Sequence, residues 1–131
     1  MKAKKHFRSL LLSTSILAFG GAATASADQA ELDKGKAVYN GIGACASCHG
    51  PLGAGDGVAA AALNPKPRSF VAGTFSYDTD ADGKTGTQKD LENIIEFGAA
   101  KYKGSMLMAG RPDIAAADRT ALAKYVLSLK K

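Results

Sequence analysis

This sequence contains no tryptophan, and aromatic residues make up only 7% of its 131 positions, whereas glycine occurs 15 times. A small domain with few bulky apolar side chains and many glycines has a marginal hydrophobic core. The composition therefore argues against a small domain that folds on its own side chains alone, without a bound group that adds apolar contacts.

Hydrophobic runs long enough to span a membrane are also absent. The apolar run at residues 10–19 is too short to cross the roughly 30 Å core of a bilayer comfortably. It follows four basic residues, namely Lys2, Lys4, Lys5 and Arg8. Because small residues ending in Ala25-Ser26-Ala27 come next, the order is typical of a secretory signal peptide. We predict a signal peptide over residues 1–27, and residues 23–25 offer a second possible cleavage site. The alternative is an uncleaved segment that anchors the protein in the membrane.

Most of the excess positive charge of the chain lies in the predicted signal peptide. The whole chain has a formal net charge of +5, but four of its 17 basic residues lie in residues 1–27. All 12 acidic residues lie in residues 28–131, so this part has a net charge of 13 − 12 = +1. We expect no nucleic-acid binding, since no basic patch with interleaved aromatic residues is present. We predict a protein exported to the periplasm, with one domain over residues 28–131.

Cysteine and histidine are scarce, with two of each, and three of the four lie in one run. Residues 45–49 read Cys-Ala-Ser-Cys-His, which is the sequence signature of covalent haem attachment. If Cys45 and Cys48 share one helical turn, both thiols reach the same edge of a porphyrin and form thioethers with its vinyl groups. His49 then offers a ring nitrogen to the iron. The motif therefore predicts one haem c, bound through Cys45 and Cys48, with His49 as an iron ligand.

Other uses of the two cysteines fit the residues less well. An exported chain can form a disulfide. A Cys-x-x-Cys redox site of the thioredoxin type sits in a βαβ unit, but no β-branched run that would predict a strand precedes Cys45. Structural zinc needs four ligands, whereas this cluster offers three.

Helical patterns occupy three segments of the sequence. Apolar residues recur at three- and four-residue spacing over residues 28–41, 87–98 and 114–130. Thr87 followed by Asp90 predicts a capping box, and Gly98 predicts the end of that helix. Residues 50–57 hold four glycines and a proline, which predicts a loop; a phosphate-binding turn would need a preceding strand. We expect one or two helical turns over residues 58–63.

An aspartate-rich run at residues 78–83 matches the first half of an EF-hand calcium loop. The twelfth position of such a loop is a bidentate glutamate, but here it is Lys89. The preceding residues, 69–77, do not have a convincing helical pattern. We therefore favour a solvated turn of aspartate and glycine over a calcium site.

The candidates for the second axial ligand of the iron can be reduced to two residues by elimination. His6 and Met1 lie in the predicted signal peptide, so a second histidine is excluded, and only Met106 and Met108 can supply a thioether. Histidine–methionine ligation raises the reduction potential and leaves no position for a substrate. An empty sixth position, suited to small gases, is the alternative.

In these features the sequence resembles the class I cytochromes c, which are small monohaem electron carriers. The similarity rests on the motif at residues 45–49, on Gly35 and Tyr39 in the helix before it, on the methionine loop, and on Tyr125 in the last helix. The resemblance implies an all-α fold with crossing N- and C-terminal helices, in which Gly35 lets Tyr125 approach. Shorter helices and loops would surround one covalent haem.

The same resemblance implies a choice of ligands. Residues 104–108 are most similar to family members with Gly-Ser-x-Leu-Met, which favours Met108 over Met106 as the partner of His49. The family commonly has proline directly after the ligand methionine, and here an alanine stands in that place. The family also turns a backbone carbonyl of a proline segment onto the second ring nitrogen of the histidine. The candidates for that segment are Pro65 and Pro67.

The function implied by the resemblance is one-electron transport. We expect a periplasmic carrier that is not itself an enzyme and exchanges electrons with a dehydrogenase, an oxidase or another cytochrome. It would act as a monomer or as the subunit of a small complex, and contact membranes only through partners. A haem-based gas sensor or small catalyst with an open or displaceable sixth ligand is the alternative. Basic residues concentrate in residues 98–131 and acidic ones in residues 78–96, so we expect a dipolar molecule.

Overall fold

Helices are the regular elements of the computed structural model, which describes residues 21–131. They are α1 (Gly21–Asn40), α2 (Ala46–His49), α3 (Gln88–Phe97) and α4 (Ala116–Ser128), with 3₁₀ turns at Ala60–Ala62 and Ala99–Tyr102. Within the described part of the chain, strand-like pairing is limited to the single bridge between Gly98 and Ala109. The predicted all-α fold is therefore confirmed. The predicted signal peptide lies mostly outside the described residues and stays a prediction.

The first helix, α1, ends where the sequence predicts but begins earlier. It already covers Gly21, the first described residue, instead of beginning at residue 28, and four of the seven residues at 21–27 are alanine, the best helix former. It ends at Asn40, ahead of two glycines that interrupt the helical pattern. Across residues 21–131, no helix combines the length and the apolar character that a membrane crossing requires.

Helices α1 and α4 cross in close contact at Gly35. A Cβ atom on Gly35 would lie 2.1 Å from the carbonyl oxygen of Ala121 and 2.7 Å from Cβ of Tyr125. The predicted approach of Tyr125 is thus confirmed, although the backbone of Ala121 comes closer still. A salt bridge of 2.7 Å between Lys34 and Asp118 lies beside the crossing. Glycine is required here because any side chain would displace backbone atoms.

Helix α3 is delimited by the predicted caps. The backbone N–H of Asp90 donates to the Thr87 hydroxyl at 3.1 Å, and the backbone N–H of Thr87 donates to the Asp90 carboxylate at 2.9 Å. Gly98 ends the helix with a φ of +81°, a left-handed value that side chains rarely adopt. The capping box and the glycine end are therefore confirmed.

Helix α4 is shorter than predicted but more completely buried. It covers Ala116–Ser128 instead of residues 114–130, and Ile114 lies before it, 1% exposed, with its carbonyl accepting from the Arg119 guanidinium. Because both α1 and α3 contact α4, the small residues Ala121 and Ala123 are buried along with Leu122. The core is therefore centred on α4.

Candidate haem site

An apolar cavity of about 380 Å³ lies between α3, α4 and the loops that follow α2. Its walls include Leu91 and Ile95 of α3, Leu122 and Val126 of α4, and Phe70 of a loop. The volume is in the range typical of sites that enclose a small molecule or cofactor. The same cavity is bordered by both cysteines, by His49 and by Met108.

The two cysteines lie on one helical turn, as the spacing predicts. Cys45 occupies the position before α2 and Cys48 is its third residue. The backbone N–H of His49 donates to the Cys45 carbonyl at 2.9 Å, which closes the turn. Both thiols are free and half-buried. The turn therefore presents two reduced sulfurs at the wall of the cavity.

Burial affects the reactivity of the first thiol. Desolvation raises the pKa of Cys45 to about 11, even though the nearby positive charge of Arg111 favours the thiolate. The thiol of Cys45 is therefore protonated at neutral pH. Metal binding and disulfide exchange both use the thiolate, so this environment disfavours both reactions at Cys45.

The His49 ring is held by two contacts. Its Nδ1 lies 2.9 Å from the carbonyl oxygen of Arg68, and the ring stacks on Phe70 with centroids 4.3 Å apart and planes at 21°. The carbonyl belongs to Arg68, directly after Pro67. The expectation that a backbone carbonyl of the proline segment meets the second ring nitrogen is therefore confirmed, with Pro67 as the adjacent proline.

The hydrogen bond from His49 to Arg68 fixes which nitrogen can bind a metal. A carbonyl oxygen only accepts, so Nδ1 carries the proton and Nε2 carries the lone pair. Burial lowers the pKa of His49, and this effect exceeds the opposing effect of the hydrogen bond. The ring is therefore neutral at physiological pH and presents Nε2 as a ligand atom.

The two candidate methionines occupy different environments. Met108 borders the cavity and is half-buried, whereas the Met106 side chain is 83% exposed and is not among the residues that border the cavity. The Met108 carbonyl accepts from the Ala99 N–H at 3.0 Å, which attaches this segment to the end of α3. The structure thus brings Met108, and not Met106, to the cavity that His49 borders.

The aspartate-rich run forms the predicted turn. The Asp78 carboxylate accepts from the backbone N–H groups of Asp82, at 3.2 Å, and Gly83, at 3.0 Å. Its three aspartate side chains are exposed, and residues 69–77 are not helical. The paired helices of an EF-hand are therefore incomplete here, as the pattern of residues 69–77 predicts.

Sequence reasoning missed several residues around the cavity. Phe70 stacks on His49, and this contact has no local sequence signal. Arg111 also borders the cavity, yet the two backbone carbonyls that its side chain binds lie 68 and 69 positions away. Contacts this distant leave no periodic pattern by which they can be recognised.

Comparison with known proteins agrees with the fold and the site. The helical fold and the cysteine–histidine turn are those of a class I c-type cytochrome. Residues 32–130 match the family described as cytochrome c, and since this is well over half of the chain, the chain belongs to that family. Haem c is accordingly its cofactor, held covalently by Cys45 and Cys48, and electron transfer is its chemistry.

A solved structure gives a further comparison. A chain of the reducing HAO-like protein complex of Kuenenia stuttgartiensis is similar, with 28% sequence identity and a TM-score of 0.61. The match covers 75% of this chain and 42% of that one, so this chain spans less than half of the length of its structural relative. Among curated proteins, none matches this chain significantly.

The residues present fit haem c. The apolar walls suit a flat hydrophobic ring, the two reduced thiols stand on one turn, and the oriented imidazole offers Nε2. A ligating histidine commonly donates its other ring N–H to a carbonyl oxygen, and here the carbonyl of Arg68 accepts it.

Proposed function

We propose that this chain is a periplasmic one-electron carrier in which His49 and Met108 are the axial ligands of the haem iron. The observation that carries the proposal is that both side chains border one apolar cavity while Met106 is largely exposed. When bound, haem c supplies a single-electron couple between ferrous and ferric iron.

The chain's own residues determine what that couple can do. His49 is held in one tautomer by Arg68 and in one orientation by Phe70. Met108 contributes a soft thioether, which favours the reduced state and raises the potential. With both axial positions taken by protein atoms, the chain has no open coordination site for a substrate. These features support a carrier rather than an enzyme.

The two methionines provide a matched test of the ligand. We expect Met108→Ala to abolish the weak long-wavelength absorption band of the ferric iron–thioether bond and to lower the midpoint potential. Met106→Ala should leave both unchanged because that side chain is exposed. A band that survives in Met108→Ala but vanishes in Met106→Ala would overturn the assignment.

Carbon monoxide distinguishes the carrier from a gas sensor or small catalyst. The reduced wild-type protein should bind carbon monoxide weakly at neutral pH because Met108 occupies the sixth position, and Met108→Ala should bind it fully. Fast, complete binding by the wild type would instead favour an open-site protein.

The predicted signal peptide supports the proposed location, and the related complex supports the proposed partners. A signal peptide over residues 1–27 supports export, and thioether attachment of haem is compatible with that route. The similarity to a chain of a protein complex supports redox proteins as partners. Mass spectrometry of the protein from a periplasmic fraction should give a chain starting at Asp28; recovery of the full-length chain from the cytoplasm would overturn the location.

A further inference from the structure

Arg111 joins two segments that are far apart in sequence. Its Nη1 donates to the Gly43 carbonyl at 2.9 Å, and its Nη2 donates to the Ile42 carbonyl at 2.7 Å. Its Nε and Nη2 also bind the two carboxylate oxygens of Asp113, each at 2.8 Å. We call this set of four residues the Arg111 clamp.

The first segment held by the clamp leads directly into the haem-attachment turn. Gly43 is buried, and its N–H donates to the Val38 carbonyl at 2.8 Å. The Cys45 N–H donates to the Tyr39 carbonyl at 3.0 Å. This segment is therefore fixed to the end of α1 and is a firm anchor for whatever binds its carbonyls.

The second segment carries Met108. Arg111 lies three residues after Met108, and its own N–H donates to the Ile95 carbonyl of α3 at 2.6 Å. On the other side, the Met108 N–H donates to the Ser105 carbonyl at 3.3 Å, and residues 106 and 107 between them are exposed. The methionine thus follows an exposed stretch. Its position is held by its own carbonyl, which accepts from the Ala99 N–H, and by the downstream attachment at Arg111.

A guanidinium suits this position for geometric reasons. Its planar donors bind two neighbouring carbonyls and one carboxylate at the same time, which an ammonium on a flexible stem does with less precision. The Asp113 carboxylate accepts two parallel hydrogen bonds from the guanidinium and so fixes its orientation. The clamp is therefore a directional link, and removal of Arg111 would unfasten the methionine segment from the segment before Cys45.

We propose that Arg111 is a positioning residue that keeps Met108 at the iron by fastening its segment to the loop before Cys45. The proposal rests on the proposed ligation by Met108. In energetic terms, the clamp lowers the population of a state in which the methionine has left the iron. An external ligand that binds only that state reports its population directly.

Imidazole binding to the ferric holoprotein measures this population. We expect Arg111→Gln to retain the iron–thioether band without imidazole but to bind imidazole at least about tenfold more tightly than the wild type. The imidazole affinity of Arg111→Lys should lie between those of the wild type and Arg111→Gln, because lysine keeps the positive charge but lacks the planar set of guanidinium donors. Asp113→Asn leaves Arg111 in place and should give a smaller increase, which provides a second variant if Arg111→Gln does not fold.

Arg119→Gln is the matched control. Arg119 also forms a salt bridge, to Glu96 at 2.9 Å, and binds the Ile114 carbonyl, but neither bond reaches the segment before Cys45. We expect this variant to lower the denaturant midpoint without tightening imidazole binding. Equal imidazole affinities in the Arg111, Asp113 and Arg119 variants would overturn the clamp.

The outcome separates the two proposals. If the band is present in the wild type and lost in Met108→Ala, but imidazole affinity does not respond to Arg111 or Asp113, the clamp is wrong and Met108 ligation stands. If the wild type has no iron–thioether band, both proposals are overturned, because there is no bond for the clamp to protect.

Discussion

At the scale of single residues, Asp90 is the most constrained charge in the described chain. Its side chain is fully buried, and one carboxylate oxygen accepts from the N–H and hydroxyl of Thr79 at 2.6 and 2.8 Å. The other accepts from the N–H and hydroxyl of Thr87 at 2.9 and 2.8 Å. One carboxylate thus holds the loop at Thr79 against the start of α3.

Replacement of this carboxylate should destabilise the fold. Asp90→Asn removes charge-assisted hydrogen bonds and turns an amide N–H₂ toward groups that donate, so we expect a loss of about 3 kcal/mol in the free energy of unfolding. Urea unfolding of the holoprotein measures it. Asp78→Asn is the control, since that carboxylate accepts two backbone bonds in an exposed turn. Equal midpoints for the two variants would contradict this role of Asp90.

The same residue should make the protein sensitive to acid. Burial opposes the charge, but the hydrogen bonds from Thr79 and Thr87 outweigh it and lower the pKa of Asp90. An unfolded aspartate titrates near pH ~3.9, so the stabilisation is complete above that pH and is lost as the pH falls through the lower folded value. Unfolding measured between neutral pH and about pH 3 should therefore depend less steeply on pH in Asp90→Asn than in the wild type.

At the scale of elements, the crossing of α1 and α4 closes the fold. Gly35 leaves no room for a Cβ atom, because the backbone of Ala121 would lie 2.1 Å from it. Backbone atoms of a packed helix cannot rotate away as a flexible side chain can. The two helices must therefore separate if Gly35 acquires a side chain.

Gly35→Ala should consequently destabilise the protein despite the better helix propensity of alanine. The propensity gain is about 1 kcal/mol, whereas forced separation of packed elements costs about 1–3 kcal/mol or more, and we expect a net loss of at least about 1 kcal/mol. Lys36→Ala, at the next and exposed position, should leave stability within about 0.5 kcal/mol. A thermal or urea midpoint that rises in Gly35→Ala would contradict the close crossing.

The ends of a helix were predictable where the residues that determine them lie close together in the sequence. Thr87, Asp90 and Gly98 lie within one short segment and fixed both ends of α3. The ends of α4 were not predictable, because Ile114 continues the apolar pattern yet is buried outside the helix. Its position depends on Arg119 and on packing against other elements, which a periodic pattern does not record.

At the scale of the whole molecule, charge is distributed unevenly. Residues 98–131 contain seven basic and two acidic residues, and residues 78–96 contain six acidic and two basic ones. Lys101 lies in the 3₁₀ turn beside the methionine segment, with its ammonium 3.5 Å from the Phe97 ring centroid. An acidic redox partner that docks near the methionine segment would therefore meet the exposed ammonium of Lys101.

Electron exchange with such a partner should slow as salt is added. We expect Lys101→Glu to reduce the second-order rate constant by roughly 3- to 10-fold at low ionic strength, with the difference vanishing at high salt. Lys36→Glu changes the net charge equally on exposed α1 and should have a smaller effect. Stopped-flow mixing with a reduced acidic redox protein measures the rates, and equal rates for the two variants would contradict steering by this surface.

The residues that attach the haem and those proposed to bind its iron were predictable from the sequence, whereas the residues that hold them in position were not. The cysteine–histidine motif identified the attachment turn because its three functional residues lie within five positions. The resemblance favoured Met108 through a short pattern around it. The Arg68 carbonyl that orients His49 lies 19 residues away, and the Arg111 contacts span 68 and 69 residues. Such contacts arise from the topology of the whole chain.

The attachment turn also has a consequence for the order of assembly. Its carbonyls at Ser47, Cys48 and His49 accept from the N–H groups of Ala59, Gly57 and Gly55 respectively, at 2.8–3.1 Å. All of these partners follow within about a dozen residues, and loops this short close in well under a microsecond. The crossing of α1 with α4 joins distant parts of the chain and is slower to form. The two thiols can therefore stand on a finished turn while the far wall of the pocket is still missing. This leaves the porphyrin an open approach before the last helix docks.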